Sequence, residues 1–200
     1  TEALQGTIDS ILERTGQQVD VVACDLANTE SSAAGGERLA SQHSDLDGLI
    51  HNGAMWLPGP MDGISDIDIQ ACIGSAAIGS LILTRHLLPN LKAREDADIH
   101  TVVSTSGLQN QPLEGASVVF AAAKSSQAGF VRGLAEELAA TRVRVTAVFP
   151  GDFADVSPND PEWNDPVHSG DTLSNREVVE AILFILNQPA RVAVRSLVIQ

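Results

Sequence analysis

One feature constrains this chain more than any other: short apolar, β-branched runs alternate with longer helical patterns from one end to the other. Ala3, Leu4, Ile8, Ile11 and Leu12 recur at helical spacing, and Gly16 sits where that helix would stop. Val19 to Cys24 reads as a strand ending at Asp25, and Asn28 is suited to cap a second helix running to about His43. Leu49-Ile50 closes a strand after Asp47-Gly48, Ile67 to Leu88 reads as a long helix stopped by Pro89, and Ile99 to Val103 reads as a strand. Ser117 to Ala140 is helical in pattern, and Val143 to Phe149 is the next strand. A polar loop from Pro150 to Asp171 follows, with further prolines at 158, 161 and 166. Ser174-Asn175-Arg176-Glu177 is a capping box for the last helix, and Val194 to Ile199 is the final strand. Strands separated by helices pair in parallel through crossovers, so the expected class is α/β: a doubly wound, mainly parallel sheet in three layers, α/β/α.

The 200 residues suit one domain, and no internal repeat or low-complexity tract interrupts them. The formal net charge of −14 disfavours nucleic acid and anionic membrane as partners, because both need a basic patch. Two cysteines, Cys24 and Cys72, are too few for a disulfide scaffold or a thiolate metal site. There is no uninterrupted apolar run of about 18 residues and no charged-then-apolar leader. The expectation is a cytoplasmic protein with no metal, since no His/Cys/Asp cluster has ligand spacing.

Open parallel sheets bind ligands beyond the carboxyl ends of their strands. Four such ends stand out: Cys24-Asp25-Leu26, His51-Asn52-Gly53-Ala54, Ser104-Thr105-Ser106-Gly107 and Pro150-Gly151. Each alone is ordinary, since strands commonly end in small or polar residues. Their order and spacing together are not. The loop from 150 to 173 is long for a compact domain, and loops of that length are often substrate lids.

On these residues the chain resembles the short-chain dehydrogenase/reductase family, over nearly its whole length. Asp25-Leu26 looks like the family's adenine-contacting Asp after the third strand. Leu49 to Ala54 looks like the fourth strand and its Asn-Asn-Ala-Gly turn, with the last two residues transposed. Val102-Val103-Ser104 with Gly107-Leu108 looks like the fifth strand and catalytic serine, and Pro150-Gly151 like the Pro-Gly that walls the nicotinamide. Phe120-Ala121-Ala122-Ala123-Lys124 stands where the family has Tyr-x-x-x-Lys. The resemblance implies a Rossmann-like domain that binds NAD or NADP. It implies catalytic roles for Ser104, Lys124 and position 120, and cofactor contacts from Asp25, Leu26, Asn52, Gly53, Ala54, Lys124, Pro150 and Gly151. In the family, the tyrosine handles the substrate proton, the lysine one turn on lowers the phenol's pKa and reaches the ribose, and the serine holds the carbonyl oxygen.

Several departures accompany the match. Position 120 is Phe, and the chain has no tyrosine at all. Ala76 stands where the catalytic asparagine would be, and Asp155 where a threonine often contacts the carboxamide. Ser106 competes with Ser104 because 16 residues separate Ser104 from Phe120, longer than the family's usual interval. The segment 109–115 can absorb a small insertion, which favours Ser104. No Gly-rich phosphate loop is present, since Gly35-Gly36 lies inside a helix pattern. In the family's strand order, 3-2-1-4-5-6-7, the third strand needs the first two as neighbours. The resemblance therefore implies a strand–helix–strand unit of roughly 40 residues ahead of Thr1 or supplied another way.

The leading expectation is an NAD(P)-dependent oxidoreductase acting on a small carbonyl or alcohol, with an atypical site. The alternative is a non-catalytic member that binds nucleotide or ligand and serves as a partner or regulatory subunit. A third reading takes Phe120 as an introduced change in an active enzyme. The apolar residues all round Ile67–Leu88, with Ser117–Ala140, predict a homodimer or homotetramer through these two helices.

Overall fold

Helix starts in this chain are set by side-chain caps. Asn28 accepts a hydrogen bond from the Ser31 amide (2.9 Å) and opens α2, Thr29–Gln42. Ser117 caps α5, Val118–Glu137, and Ser174 with Glu177 forms the expected capping box of α6, Asn175–Leu186. The computed structural model describes residues 2–164 and 172–200. Before these comes α1, Glu2–Thr15, which ends at Gly16 (φ +69°), a conformation that favours glycine.

The strands are β1 (Gly48–His51), β2 (Ala97–Val102), β3 (Val143–Pro150) and β6 (Ser196–Ile199), all parallel in the order β1-β2-β3-β6. Two-residue strands β4 (Phe153–Ala154) and β5 (Leu173–Ser174) pair separately. The two-residue period of β3 divides the core into two layers. Val143, Val145, Ala147 and Phe149 face α4 (Gly79–Lys92) and α5, packing with Leu87, Leu91, Val131 and Leu134. Val148 faces the other way, against Val178 and Ile185 of α6. The three-layer, Rossmann-like arrangement is the expected one.

Three elements differ from the sequence reading. Val19 to Cys24 has strand composition but forms no strand, and Val19 and Val21 are exposed. A strand exists only through a hydrogen-bonded neighbour, and no described strand offers one to this segment. The long helix also differs. It begins at Asp66, capped by Ser65, and runs to Lys92 as α3 (Asp66–Ile73), a π-helical turn at Gly74–Ile78 and α4. Pro89 does not stop it, because proline removes one donor of the last turn while its carbonyl still accepts from the Ala93 amide. Finally, the loop after β3 is not uniformly irregular: β4–β5 pairing closes its base, and a 3-10 turn spans Pro161–Asn164.

Asp66–Lys92 is long and apolar enough, by length and composition alone, to cross a membrane. Its Leu87 and Leu91, however, lie in the core between β2 and α5. The Leu26 backbone crosses this helix at Gly79, where an added Cβ would collide with the Leu26 carbonyl oxygen. Glycine is required there by contact with the 25–27 turn.

Candidate active site

The site is built where β2 ends. Ser104 caps a 3-10 turn, Thr105–Gly107, its Oγ accepting a hydrogen bond from the Ser106 amide at 3.1 Å. Gly107 lets that turn press onto α5: a Cβ there would sit 2.7 Å from the Lys124 carbonyl oxygen. The strand end that carries Ser104 is thereby held against the helix that carries Lys124.

On α5, Phe120 and Lys124 lie one turn apart on the same face, and both are buried. The Lys124 ammonium donates to the Val102 carbonyl (3.2 Å) and stands 5.5 Å from the centre of the Phe120 ring. No salt bridge among the described residues involves it. Burial pushes its pKa down to about 8, partly opposed by Cys72. Trp56 meets the Phe120 ring edge to face, with centres 4.6 Å apart.

These groups line one cavity of about 510 Å³ at the carboxyl ends of the strands. Of the residues singled out from sequence, Asn52, Ala54, Ser104, Phe120, Lys124, Pro150 and Gly151 line it, and so does Ser106. Asp25, Leu26 and Gly53 do not. The Asp25 carboxylate accepts from the Ala27 amide (2.9 Å), the local turn that an Asp at a strand end readily forms. Leu26 packs its side chain against Gly53 instead. Ala76, at the position of the family's asparagine, is buried within the π-helical turn.

Sequence reasoning missed several walls of the cavity: Trp56, Leu113, Glu114, Asp152 and Phe153, with Asp155 noted only as a departure. All stand on loops. The readable signal was an aromatic residue just past two of the four strand ends, Trp56 after Ala54 and Phe153 after Gly151. Glu114 has φ +49°, beside Gly115 at +86°, so a non-glycine residue holds a left-handed conformation at the cavity wall. The expected lid over 150–173 falls partly outside the described residues. Its described base is pinned where Asn175 donates to Asp155 (2.6 Å) and to the Val156 carbonyl (2.9 Å).

His51 is buried, with Nε2 2.8 Å from the Thr84 hydroxyl. His100 likewise lies within the core, its Nδ1 2.9 Å from the Thr146 hydroxyl.

Known proteins carry the same fold. The family model described as short chain dehydrogenase matches residues 1–165. Over 139 residues the chain is 30% identical to human retinol dehydrogenase 8, covering 70% of this chain but 43% of that protein. It thus spans less than half of that relative. It is 27% identical over 201 residues to the NADP-dependent 3-hydroxy acid dehydrogenase of Schizosaccharomyces pombe, covering 94% of this chain and 76% of that one. Among solved structures, a putative short chain dehydrogenase from Pseudomonas syringae is 25% identical with a TM-score of 0.79, covering 100% of this chain and 81% of its own. The L-sorbose reductase of Gluconobacter frateurii, complexed with NADPH and L-sorbose, superposes with a TM-score of 0.81 at 21% identity, over 100% of this chain and 82% of that one, a likeness of fold. With the family model running from residue 1 to residue 165 across the strands, turns and helix that build the cavity, the chain belongs to the short-chain dehydrogenase family.

Proposed function

We propose that this protein uses NAD or NADP to interconvert a small carbonyl compound and its alcohol, at a site where Phe120 occupies the place of the family's tyrosine. The observation that carries the reading is the convergence of Ser104, Phe120 and Lys124 on one cavity at the strand ends. By family the chain is an oxidoreductase of Rossmann-like fold. The donor set fits the nicotinamide–ribose end of such a cofactor. Lys124 spends one N–H on Val102 and retains donors for a ribose diol, and Asn52, Ala54, Pro150 and Gly151 form the adjoining walls. When bound, the dinucleotide supplies or accepts the hydride; the protein supplies position and protons.

The residues divide that work unequally. Ser104 Oγ accepts from Ser106 and keeps its own hydrogen to donate to a carbonyl oxygen. Trp56 and Phe120 form an apolar wall of the cavity. Phe120 has no proton to give. That favours a second reading, a non-catalytic member that binds the same ligands and acts as a partner or regulatory subunit. A cytoplasmic location and a homodimer or homotetramer through α3–α4 and α5 belong to both readings. The latter is supported by the exposed Ile67, Ile78, Leu81 and Val118 on those helices.

The test measures NADPH binding by fluorescence and NADPH oxidation over a panel of small aldehydes and ketones, for the protein and for Phe120→Tyr. Binding by both forms with a gain in turnover for Phe120→Tyr supports the oxidoreductase reading. Equal binding without any gain hands the lead to the non-catalytic one. Rapid turnover by the unmodified protein would place the proton donor elsewhere than position 120.

A further inference from the structure

We propose that Lys124 is a carbonyl-trapping amine: in the protein free of dinucleotide, it condenses with a small aldehyde that enters the cavity and forms an imine. Nζ is held by neutral groups. It lines the cavity, its hydrogen-bond partner is the neutral Val102 carbonyl, and its nearest ring is the neutral Phe120. A phenol at position 120 would offer the amine an acidic partner; phenylalanine offers only a π face. No described carboxylate pairs with it: Glu114, Asp152 and Asp155 line the cavity from exposed positions. The Cys72 thiol also acts on it, but burial pushes that thiol's pKa up and keeps it protonated. Burial adds to this. With its pKa near 8, about one lysine in ten is the neutral amine at pH 7, against fewer than about one in a thousand for an ordinary lysine.

The remaining requirements are a place for the aldehyde and a donor for its oxygen. Trp56, Phe120 and Phe153 supply apolar walls, and the Ser104 hydroxyl faces the same cavity. The step balances without redox chemistry. The Nζ lone pair forms a C–N bond to the carbonyl carbon while the C=O π pair moves to oxygen. The two protons of the amine then end on that oxygen, which leaves as water, and the C=N bond closes. Dinucleotide needs the same nitrogen, so it competes with the aldehyde. The inference itself does not require that the protein be an oxidoreductase.

The chain carries its own control, because it has one other lysine, the exposed Lys92. The protein is incubated with propanal and sodium cyanoborohydride near neutral pH, and propylation of each lysine is followed by peptide mass spectrometry. Lys124 is expected to react at least about tenfold faster than Lys92, reflecting its larger neutral fraction. That preference should vanish in denaturing urea. Labelling of Lys124 no faster than Lys92 in the folded protein overturns the proposal, as does a preference that survives unfolding. Added NADPH separates the two ideas. If it slows Lys124 and spares Lys92, both the trapping amine and the cofactor site stand. If Lys124 reacts preferentially and NADPH neither binds nor protects, the trapping amine stands and the cofactor reading falls.

Discussion

The Lys124 ammonium lies 5.5 Å from the centre of the Phe120 ring, one turn further along the same helix. A cation over a ring face is worth about 0.5–2 kcal/mol, and only while the lysine is charged. Phe120 also meets Trp56 edge to face and is buried, so it is a packed wall of the cavity. Tyrosine at this position would keep both contacts and add a hydroxyl.

Phe120→Tyr should therefore leave the fold intact and raise carbonyl reduction by roughly 10²–10⁴-fold, the usual worth of a positioned acid. Its pH dependence follows from Lys124. Below a pH of about 8 the lysine is charged and lowers the phenol's pKa; above it the charge is lost. The variant's rate should be level below pH 8 and fall above it, as read from a pH–rate profile of NADPH oxidation. With Ala76 where the resemblance places the family's asparagine, the gain is expected toward the lower end.

What was legible in the sequence was what local pattern controls. The alternate apolar residues of β3 and the Ser174–Glu177 capping box are written in short-range spacing, and they form as read. Strand pairing is not local. Val19 to Cys24 has the composition of a strand but no described partner, so its residues remain outside the sheet. The π-helical turn at 74–78 has no residue signature of its own, and its small residues read as ordinary helix. Loop walls such as Glu114 and Asp152 depend on how a chain crosses the strand ends, which spacing along one strand does not encode. At Asp25 the residue type does encode local structure, since its carboxylate closes the turn by accepting from the Ala27 amide.

Arg144 is the main tie between the sheet and the far end of α6. It makes a two-pronged contact with Asp98 (2.7 and 2.6 Å) and donates to the carbonyls of Leu186, Gln188, Pro189 and Val192. Arg144→Met would keep the aliphatic stem and remove the donor from five groups, one of them the partly buried Asp98 carboxylate. The expected loss is about 3 kcal/mol, measured as a lower urea midpoint with an unchanged m-value.

Acid should destabilise the protein well above the carboxylate range. Burial lowers the pKa of both His51 and His100 to about 4, with Asp98 partly opposing the shift of His100. Between pH 4 and 6.5 the unfolded chain binds protons that the folded chain excludes, so stability falls as pH drops through this window. Each histidine should cost roughly 2 kcal/mol between pH 7.5 and 5. Urea midpoints at the two pH values should show the loss, and His51→Gln with His100→Gln should flatten the difference, whatever the pair does to stability at pH 7.5.

The last expectation separates helix propensity from packing within one experiment. An Ala Cβ at Gly79 would strike the Leu26 carbonyl oxygen and come within 2.9 Å of Leu26 Cα, backbone atoms that cannot rotate away. At Gly133, in the exposed part of α5, nothing lies within 4 Å. Both substitutions gain the same intrinsic helix preference, about 1 kcal/mol. Gly133→Ala should retain it and raise the thermal midpoint. Gly79→Ala should reverse it, with a net loss of about 1–3 kcal/mol typical of overpacking, because the Leu26–Ala27 turn must lift from the helix. That turn carries Asp25 and leads into Asn28, the cap of α2, so faster amide exchange along Thr29–Gln42 in Gly79→Ala alone would trace the damage to the crossing. A Gly79→Ala protein as stable as Gly133→Ala would mean that the Leu26 crossing is loose in solution, and that glycine is not required beneath it.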